Sequence, residues 1–182
     1  MDIKIPIIST AQLYLRPWVP EDVGELFTIL QEKNILHYFP DQSPPSWEKV
    51  ERYIEHHLPP WVQFGYGHWA VVSRDSGQLL GWNGLEYLPQ LKEIEVAYLL
   101  SRQVWGRGYA TEAAIASLHF GFGQAHLESI IGLVHPENGR SVRVLEKSGL
   151  AFLDRITLWG IVMTRYRLLR SDFERLSDAP QV

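Results

Sequence analysis

The sequence predicts an α+β fold with a mixed, mostly antiparallel sheet of six to seven strands that is flanked by helices. Its 182 residues suffice for one domain with a substantial core, so we expect a single domain over residues 1–182. Strand-like and helix-like patterns alternate along the chain without a repeat or a long linker. Two pairs of strand-like segments are separated by short turns, as is typical of antiparallel hairpins.

The composition excludes several classes of protein. With no cysteine, the chain cannot form disulfides, thiolate metal sites, iron–sulfur clusters or a cysteine nucleophile. The net charge of -4 lacks the basic character of nucleic-acid-binding proteins. No apolar run reaches the ~18 residues of a membrane span, and Met1–Pro20 does not resemble a secretory signal. We therefore expect a soluble cytoplasmic protein with no direct nucleic-acid or membrane partner.

The N-terminal third predicts one strand and two helices. The strand spans Leu13–Trp18 and precedes Pro20. The first helix is indicated by apolar residues at helical spacing, which are Val23, Leu26, Phe27 and Leu30. After a proline-rich loop over 37–45, Ser46 is suited to cap a second helix. The apolar face of that helix would contain Val50, Tyr53, Ile54, His57 and Leu58, and its end would be set by Pro59 and Pro60.

The middle of the chain predicts three strands and a helix. The strands His68–Ser73 and Leu79–Tyr87 are joined by a turn over Arg74–Gly77. The segment Ile94–Leu100 is apolar on both faces, which is typical of a strand in the centre of a sheet. A helix is then expected over Gly108–Phe122.

The C-terminal third predicts a strand, a short helix and a hairpin. The strand spans Ser129–His135. Asn138 is suited to cap a helix over Gly139–Ser148, and Gly149 would end it. The segments Phe152–Trp159 and Ile161–Arg170 form the predicted closing hairpin.

Two glycines occupy the turn between the central strand and the following helix. Gly106 and Gly108 lack a Cβ, so the backbone there can adopt positive φ and approach a ligand closely. The free N–H groups at the start of the helix suit a phosphate, although the pattern is equally compatible with a simple tight turn. The Gly-Lys-Ser/Thr ending of a nucleotide-binding P-loop is absent, which disfavours a nucleotide-binding protein.

Two motifs occur in order along the chain: WGRGYATEA at Trp105–Ala113 and HPENGRSVRVLEKSG at His135–Gly149. Together they resemble the GNAT superfamily of acyl-CoA-dependent N-acyltransferases, and most of all its RimJ/RimL-like subgroup. The likeness extends to the opening strand, Leu13–Trp18, and to the closing segment Tyr166–Arg170. It implies a GNAT-like fold and transfer of an acetyl group from acetyl-CoA, as co-substrate, to a primary amine.

The family's pyrophosphate loop, Arg/Gln-x-x-Gly-x-Gly/Ala, fits this sequence in two registers, beginning at Gln103 or at Trp105. The second is preferred because it puts Tyr109 and Ala110 at the helix start. Trp105 then replaces the usual Arg or Gln, and the backbone over 106–110 would hold the pyrophosphate. The residues that the resemblance implies for acetyl-CoA binding are Tyr98, Leu99, Leu100, Trp105, Gly106, Arg107, Gly108, Tyr109, Ala110, Thr111, Asn138, Ser141 and Lys147.

A row of cations follows the second motif. Arg140, Arg143 and Lys147 share one helical face by their spacing. They are suited to meet the phosphorylated adenosine end of CoA, or they form a solvated face of the helix.

The resemblance implies direct attack of a neutral amine on the thioester, and the absence of cysteine excludes an S-acyl-enzyme. A backbone N–H near Leu99 or Leu100 would stabilise the oxyanion. Glu95, which interrupts an apolar strand, is the candidate general base, with Glu93 as a weaker alternative. Glu95 is otherwise a strand-end carboxylate in water or a partner for an arginine.

The general acid toward the leaving thiolate differs from that of many family members. Many family members carry a tyrosine four residues before the glycine of the second motif, where this chain has Leu145. Ser141 is a candidate donor to the thiolate, or its hydroxyl caps the helix. The loss of the tyrosine supports a second hypothesis, in which the protein is a CoA-binding or sensing module without turnover.

The acceptor is an amine-bearing molecule whose identity the sequence leaves open. A protein N-terminus, an aminoglycoside-like or polyamine-like amine and an amino acid are the candidates. The expected walls of the acceptor-binding site are the loop 37–45, the aromatic segment Trp61–Trp69 and Trp82–Asn83. Such aromatic residues more often belong to the core. No metal site is expected, because the adjacent His56 and His57 point in different directions on a helix. A monomer or a homodimer is expected.

Overall fold

The computed structural model describes residues 4–178, which contain eight strands in one mixed sheet. The order across the sheet is β1-β2-β3-β4-β5-β6-β8-β7. The strands are β1 (Ile8–Ser9), β2 (Leu13–Arg16), β3 (His68–Ser73), β4 (Leu79–Leu88), β5 (Glu93–Leu100), β6 (Ser129–Val134), β7 (Ala151–Leu158) and β8 (Ile161–Leu169). The helices are α1 (Asp22–Leu30), α2 (Trp47–Glu55), α3 (Leu58–Phe64), α4 (Tyr109–Gly123), α5 (Gly139–Lys147) and α6 (Arg170–Asp178). The end residues 1–3 and 179–182 of the predicted domain lie outside the described range.

The predicted mixed, mostly antiparallel sheet is confirmed, but the expected number of strands was too low. The sheet gains the two-residue strand β1, which pairs with β2. Two residues are too few to show a period of two, so the local pattern gave no signal. Every neighbouring pair in the sheet is antiparallel except β5 and β6, which run parallel.

The two faces of the sheet carry different helices. Side chains alternate along β5, so Val96 and Leu100 pack in the cluster that includes α4, whereas Leu99 packs in the cluster with α1 and α2. On α4, the small residues Ala113 and Ala114 are fully buried and bring this helix close to the sheet. The strand β5 thus lies in the centre with both faces covered, as its apolar sequence predicted.

The expected helix caps are present. The Ser46 hydroxyl accepts a hydrogen bond from the Lys49 N–H at 3.4 Å at the start of α2. Asn138 Oδ1 accepts the Ser141 N–H at 3.2 Å at the start of α5. After α5, Gly149 adopts a φ of 91°, the left-handed conformation that favours glycine at helix ends.

The prediction that Pro59 and Pro60 end the second helix was wrong. Helix α2 ends at Glu55, before His57 and Leu58, and the two prolines lie in the first turn of a separate helix, α3. Proline lacks an N–H, but the first turn of a helix leaves these groups unpaired, so the prolines begin a helix here.

None of the helices within residues 4–178 has both the length and the apolar character needed to cross a lipid bilayer.

Candidate active site

A cleft of about 1120 Å³ lies where β5 and β6 diverge. The parallel pairing between these strands is confined to Glu95 and Ile131. Beyond this pair, the ends of both strands, from Val96 to Leu100 and at Leu133 and Val134, line the cleft. The cleft therefore occupies a gap between two neighbouring strands of the sheet.

The cleft reaches both faces of the sheet. Glu95 and Leu99 project toward the face with α1 and α2, and Tyr98 projects toward the face with α4 and α5. All three residues line the same cleft. Two molecules can therefore approach the gap from opposite faces and meet within it.

The glycine loop forms one end of the cleft. A short 3₁₀ turn, Arg102–Val104, follows β5, and Gly106 and Gly108 then adopt φ angles of 80° and 85°. Helix α4 begins at Tyr109, as the preferred register of the loop requires. No atom outside the immediate chain neighbours lies within 4 Å of a Cβ position built on either glycine, so the backbone of the loop is open to a ligand.

Trp105, at the start of this loop, contacts two arginines. Its indole N–H donates a hydrogen bond to the Leu100 carbonyl at 2.8 Å. The guanidinium carbon of Arg102 lies 5.4 Å from the ring centroid, and that of Arg140 lies 5.1 Å from it. These are cation–π distances. A neutral residue thus holds two positive charges beside the glycine loop.

Glu95 is buried in the gap, with 7% of its surface exposed. Its Oε1 accepts the Leu133 N–H at 3.0 Å, so the side chain bridges β5 and β6 where they separate. Burial, aided by the negative charge of Glu86, raises the pKa of Glu95 to about 8. Glu93, the alternative base, instead forms an ion pair with Arg165 at 2.6 Å and is not among the cleft-lining residues.

Tyr98 and Ser141 meet on the opposite face. The Tyr98 hydroxyl lies 2.7 Å from Ser141 Oγ and 3.3 Å from the Ser141 carbonyl oxygen. Burial raises the pKa of Tyr98, so its phenol stays protonated. The helix cap is made by Asn138 with the backbone N–H of Ser141, not by the Ser141 hydroxyl.

Most residues that the sequence assigned to acetyl-CoA or catalysis line this one cleft. They are Glu95, Tyr98, Leu99, Leu100, Trp105, Gly106, Gly108, Tyr109, Ala110, Thr111, Asn138, Ser141 and Lys147. Arg107 is exposed and is not among the lining residues. The cations Arg140 and Arg143 also line the cleft.

Sequence reasoning missed Glu86, Arg102 and the hydroxyl of Tyr98. Glu86 lies directly opposite Glu95 in the pairing of β4 with β5. The register of this hairpin is the one signal that would have linked the two carboxylates. Arg102 and the Tyr98 hydroxyl depend on contacts between distant parts of the chain, which no local pattern records.

Some of the residues expected to form the acceptor site line the cleft. The loop residues His37–Pro40 and Trp82 line the cleft. Trp61 and Trp69 instead pack against each other in the core, with ring centroids 4.7 Å apart. Asn83 is fully buried and accepts a hydrogen bond from Ser117 on α4, so it connects the sheet to that helix.

The loop before α2 reaches the segment between β6 and α5. The Tyr38 ring lies 5.3 Å from the ring of His135, and the Tyr38 hydroxyl donates to the Glu137 carbonyl at 3.4 Å. All three residues line the cleft. The contact spans the cleft and narrows one side of it.

Comparison with known proteins agrees with this architecture. Residues 12–151 match the acetyltransferase (GNAT) domain family. The chain is 35% identical over 165 residues to YkkB of Bacillus subtilis (strain 168). The aligned region covers 88% of this chain and 93% of YkkB.

Two solved structures share the fold. An acetyltransferase from Agrobacterium tumefaciens str. C58 has a TM-score of 0.77 at 26% identity, with 92% of this chain and 96% of that chain covered. RimL is a ribosomal L7/L12 α-N-protein acetyltransferase solved with coenzyme A. Its structure has a TM-score of 0.77 at 16% identity, and the match covers 90% of this chain and 98% of the RimL chain.

GNAT acetyltransferases transfer an acyl group from acetyl-CoA to an amine. The family match spans well over half of the sequence, and the mixed, mostly antiparallel sheet with flanking helices agrees with it. This chain therefore belongs to the GNAT acetyltransferase family and is an N-acetyltransferase.

Proposed function

We propose that this protein acetylates a primary amine by direct attack on acetyl-CoA, as a RimJ/RimL-like member of the family. The observation that carries the proposal is the cleft through the sheet. It has the buried carboxylate of Glu95 toward one face and the open glycine loop beyond the end of the same strand. We further propose a single cytoplasmic domain, monomeric or homodimeric, with no direct nucleic-acid or membrane partner and no metal.

The backbone of 106–110 would hold the pyrophosphate of acetyl-CoA. The positive φ angles of both glycines and the start of α4 make this segment suited to a phosphate. Arg102, Arg140, Arg143 and Lys147 add positive charge along the same cleft. Asn138, Ser141 and the end of β5 would contact the pantetheine.

The backbone of β5 offers donors to the gap at alternate residues. The Ser101 N–H donates to Leu80 on β4 at 2.8 Å, so by strand alternation the Leu99 N–H also points toward β4. The N–H groups of Tyr98 and Leu100 then point toward the gap. Of the two candidate oxyanion donors, Leu100 is therefore favoured over Leu99, and one such donor contributes roughly 2.7 to 4 kcal/mol.

Glu95 would act as the general base. An acceptor that arrives as an ammonium ion first releases one proton to the solvent. The neutral amine then attacks, and Glu95 accepts its second proton as the nitrogen–carbon bond forms and the carbon–sulfur bond breaks to release CoA thiolate. The pKa of Glu95, about 8, lies closer to the ~10 of a primary amine than the pKa of an ordinary carboxyl group does. The free-energy cost of proton transfer from the amine nitrogen to Glu95 is correspondingly smaller.

The acceptor would approach from the face with α1 and α2. The charged side chains from the strands that line this part of the cleft are Glu86 and Glu95, and Trp82 and Phe39 add aromatic surface. Carboxylates attract an amine that arrives as an ammonium ion. RimL acts on the N-terminus of a ribosomal protein. A peptide N-terminus and a small-molecule amine are both compatible with this surface.

The test is release of CoA from acetyl-CoA across a panel of peptide N-termini, polyamines, aminoglycosides and amino acids, with the acetylated product identified by mass. We expect turnover with at least one amine. Glu95→Gln should lower kcat/KM about 10²- to 10⁴-fold at neutral pH, the usual contribution of a general base. Glu93→Gln is the matched control, because Glu93 lies on the same strand and face but outside the cleft.

Binding of acetyl-CoA without CoA release for any amine would instead favour the CoA-binding module. Unchanged kcat/KM in Glu95→Gln with the true acceptor would remove Glu95 as the base.

A further inference from the structure

The hairpin of β7 and β8 extends past the end of its neighbour in the sheet. The last residue of β6, Val134, pairs with Thr164 of β8, whereas β8 begins at Ile161. Three further residues of each hairpin strand therefore lie beyond β6, and the two-residue turn 159–160 joins them. This projecting segment, 156–163, is called the hairpin tip below.

The hairpin tip reaches the cleft on the face of the proposed base. Arg165 on β8 forms an ion pair with Glu93 on β5, so these two residues share a face of the sheet. Side chains two residues apart on a strand project to the same face, so Met163 shares this face with Glu95. Met163 and Trp159 both line the cleft. An acceptor that approaches Glu95 from this face therefore meets the hairpin tip.

Trp159 occupies a backbone position that favours smaller residues. Its φ is 54° and that of Gly160 is 77°, and positive φ at both central residues is typical of a type I′ turn. Asparagine, aspartate and glycine are preferred there, and a bulky side chain at positive φ is strained. Such strain occurs at functional sites, where the surrounding structure maintains it. The turn itself gives no reason for a tryptophan, whereas the cleft does.

The hairpin tip and the loop on the acceptor side are uncharged. Neither the hairpin tip nor the loop segment 35–40 contains an acidic residue, a lysine or an arginine. Phe39 from this loop and Trp82 from β4 add aromatic surface to the same cleft. The cations of the cleft lie near the glycine loop and on α5, and its carboxylates are Glu86, Glu95 and Glu137.

Uncharged aromatic walls discriminate between classes of amine. An apolar or aromatic group placed against Trp159 and Met163 is removed from water and gains ring contacts. A second ammonium group at the hairpin tip would lose hydration without an ionic partner there. Polyamines and aminoglycosides carry several such groups, whereas an amine with one reacting nitrogen and an apolar substituent carries none.

We propose that Trp159, together with Met163, binds an apolar or aromatic group of the acceptor and thereby selects a primary amine that carries one. The inference rests on the proposed function and names the class of its acceptor. The same group can belong to a peptide, as a side chain close to its N-terminus, or to a small amine. The experiment distinguishes these two sources.

The test compares kcat/KM for CoA release with two pairs of primary amines. The small-molecule pair is 2-phenylethylamine and 1,4-diaminobutane, and the peptide pair is a tetrapeptide with phenylalanine or with lysine at its second position. We expect the aromatic member to be favoured about 10- to 100-fold in at least one pair, the value of burying a phenyl group. The pair with the larger preference identifies the source of the group.

Trp159→Asn is the informative variant, because asparagine suits the turn and removes the ring. The preference for the aromatic amine should fall about 3- to 10-fold, mainly through a higher KM, while Tm should not fall. Trp159→Phe keeps a ring and should retain most of the preference. Trp47→Asn is the matched control, since Trp47 is also 45% exposed but is not among the residues that line the cleft, and it should leave the preference unchanged.

Equal kcat/KM within both pairs, or a preference for the cationic members, would overturn the proposal and leave the proposed function intact. An unchanged preference in Trp159→Asn would also overturn it. So would a lower Tm in this variant with an equal loss of activity on all four amines, because Trp159 would then be a structural residue. Absence of CoA release by the wild type with these amines and with the wider panel would contradict the proposed function itself.

Discussion

Glu86 and Glu95 lie directly opposite each other on β4 and β5, so both carboxylates face the same side of the sheet. Glu95 is buried, whereas the side chain of Glu86 is 41% exposed and lies 3.4 Å from His68 Nε2. Two carboxylates on paired strands disfavour ionisation of the more buried one. The pair thereby contributes to the high pKa of the proposed base.

Replacing Glu86 with glutamine should move the activity profile to lower pH. Removal of the neighbouring negative charge lowers the pKa of Glu95 below its value of about 8, so more of the base is ionised at neutral pH. The rising limb of kcat against pH should shift accordingly. Glu51→Gln, an exposed carboxylate on α2, is the control and should leave the limb in place. A limb that does not move in Glu86→Gln would contradict the assignment of this ionisation to Glu95.

Stability should also depend on pH through Glu95. Its folded-state pKa of about 8 exceeds the ordinary 4.5, so the protonated carboxyl favours the folded state. This stabilisation is complete below the unfolded pKa and is lost as pH rises through the folded one, by at most about 1.4 kcal/mol per pH unit. Glu95→Gln keeps a carbonyl acceptor for the Leu133 N–H and does not ionise.

The free energy of unfolding of Glu95→Gln, relative to the wild type, should therefore increase between about pH 5 and about pH 9. Urea unfolding at a series of pH values measures it. A difference that stays constant across this range would show that Glu95 is not a carboxyl with a raised pKa.

Trp105→Leu should weaken CoA binding a few-fold. The two arginines would lose a cation–π contact of about 0.5 to 1 kcal/mol each at this exposed position and would be less well placed for phosphate. Trp105→Phe keeps a ring but loses the hydrogen bond to Leu100, so it separates the two contributions. Calorimetry with CoA measures both variants.

The loss of CoA affinity caused by Trp105→Leu should be smaller in an Arg140→Ala background, because Trp105 and Arg140 act together. The same loss should be undiminished in an Arg143→Ala background, which is the control. If the losses of CoA affinity in Trp105→Leu and Arg140→Ala were fully additive, Trp105 would not act on CoA through Arg140.

Gly84→Ala should destabilise the sheet by roughly 1 to 3 kcal/mol or more. The added methyl would lie 2.3 Å from the Gly67 carbonyl oxygen, which is backbone and cannot rotate away. Gly123→Ala is the contrasting control, since no heavy atom of the described chain, beyond the neighbouring residues and the nearby backbone of its own helix, lies within 4 Å of its Cβ position. Alanine at this last residue of α4 favours the helix by up to roughly 0.5 kcal/mol. Thermal unfolding should show a lower Tm for Gly84→Ala and a higher Tm for Gly123→Ala. A lower Tm in Gly123→Ala would contradict the prediction.

Local sequence signals correctly predicted the helix caps and the glycine turn, which depend on neighbouring residues. Ser46 and Asn138 cap their helices with their own side chains, and the two glycines of the loop adopt positive φ within a single turn. Pro59 and Pro60 do not end α2, because proline is compatible with both the end and the start of a helix, and the strand β1 is too short for a period to appear.

The sequence by itself determined the fold class, the glycine loop, the family resemblance and Glu95 as the candidate base. Each of these depends on residue types within a few positions of each other or on their order along the chain. The tertiary structure alone decided that β5 and β6 diverge after Glu95 and Ile131, and that Tyr98 meets Ser141, 43 residues away. Such contacts arise from the packing of distant segments, which local periodicity does not encode.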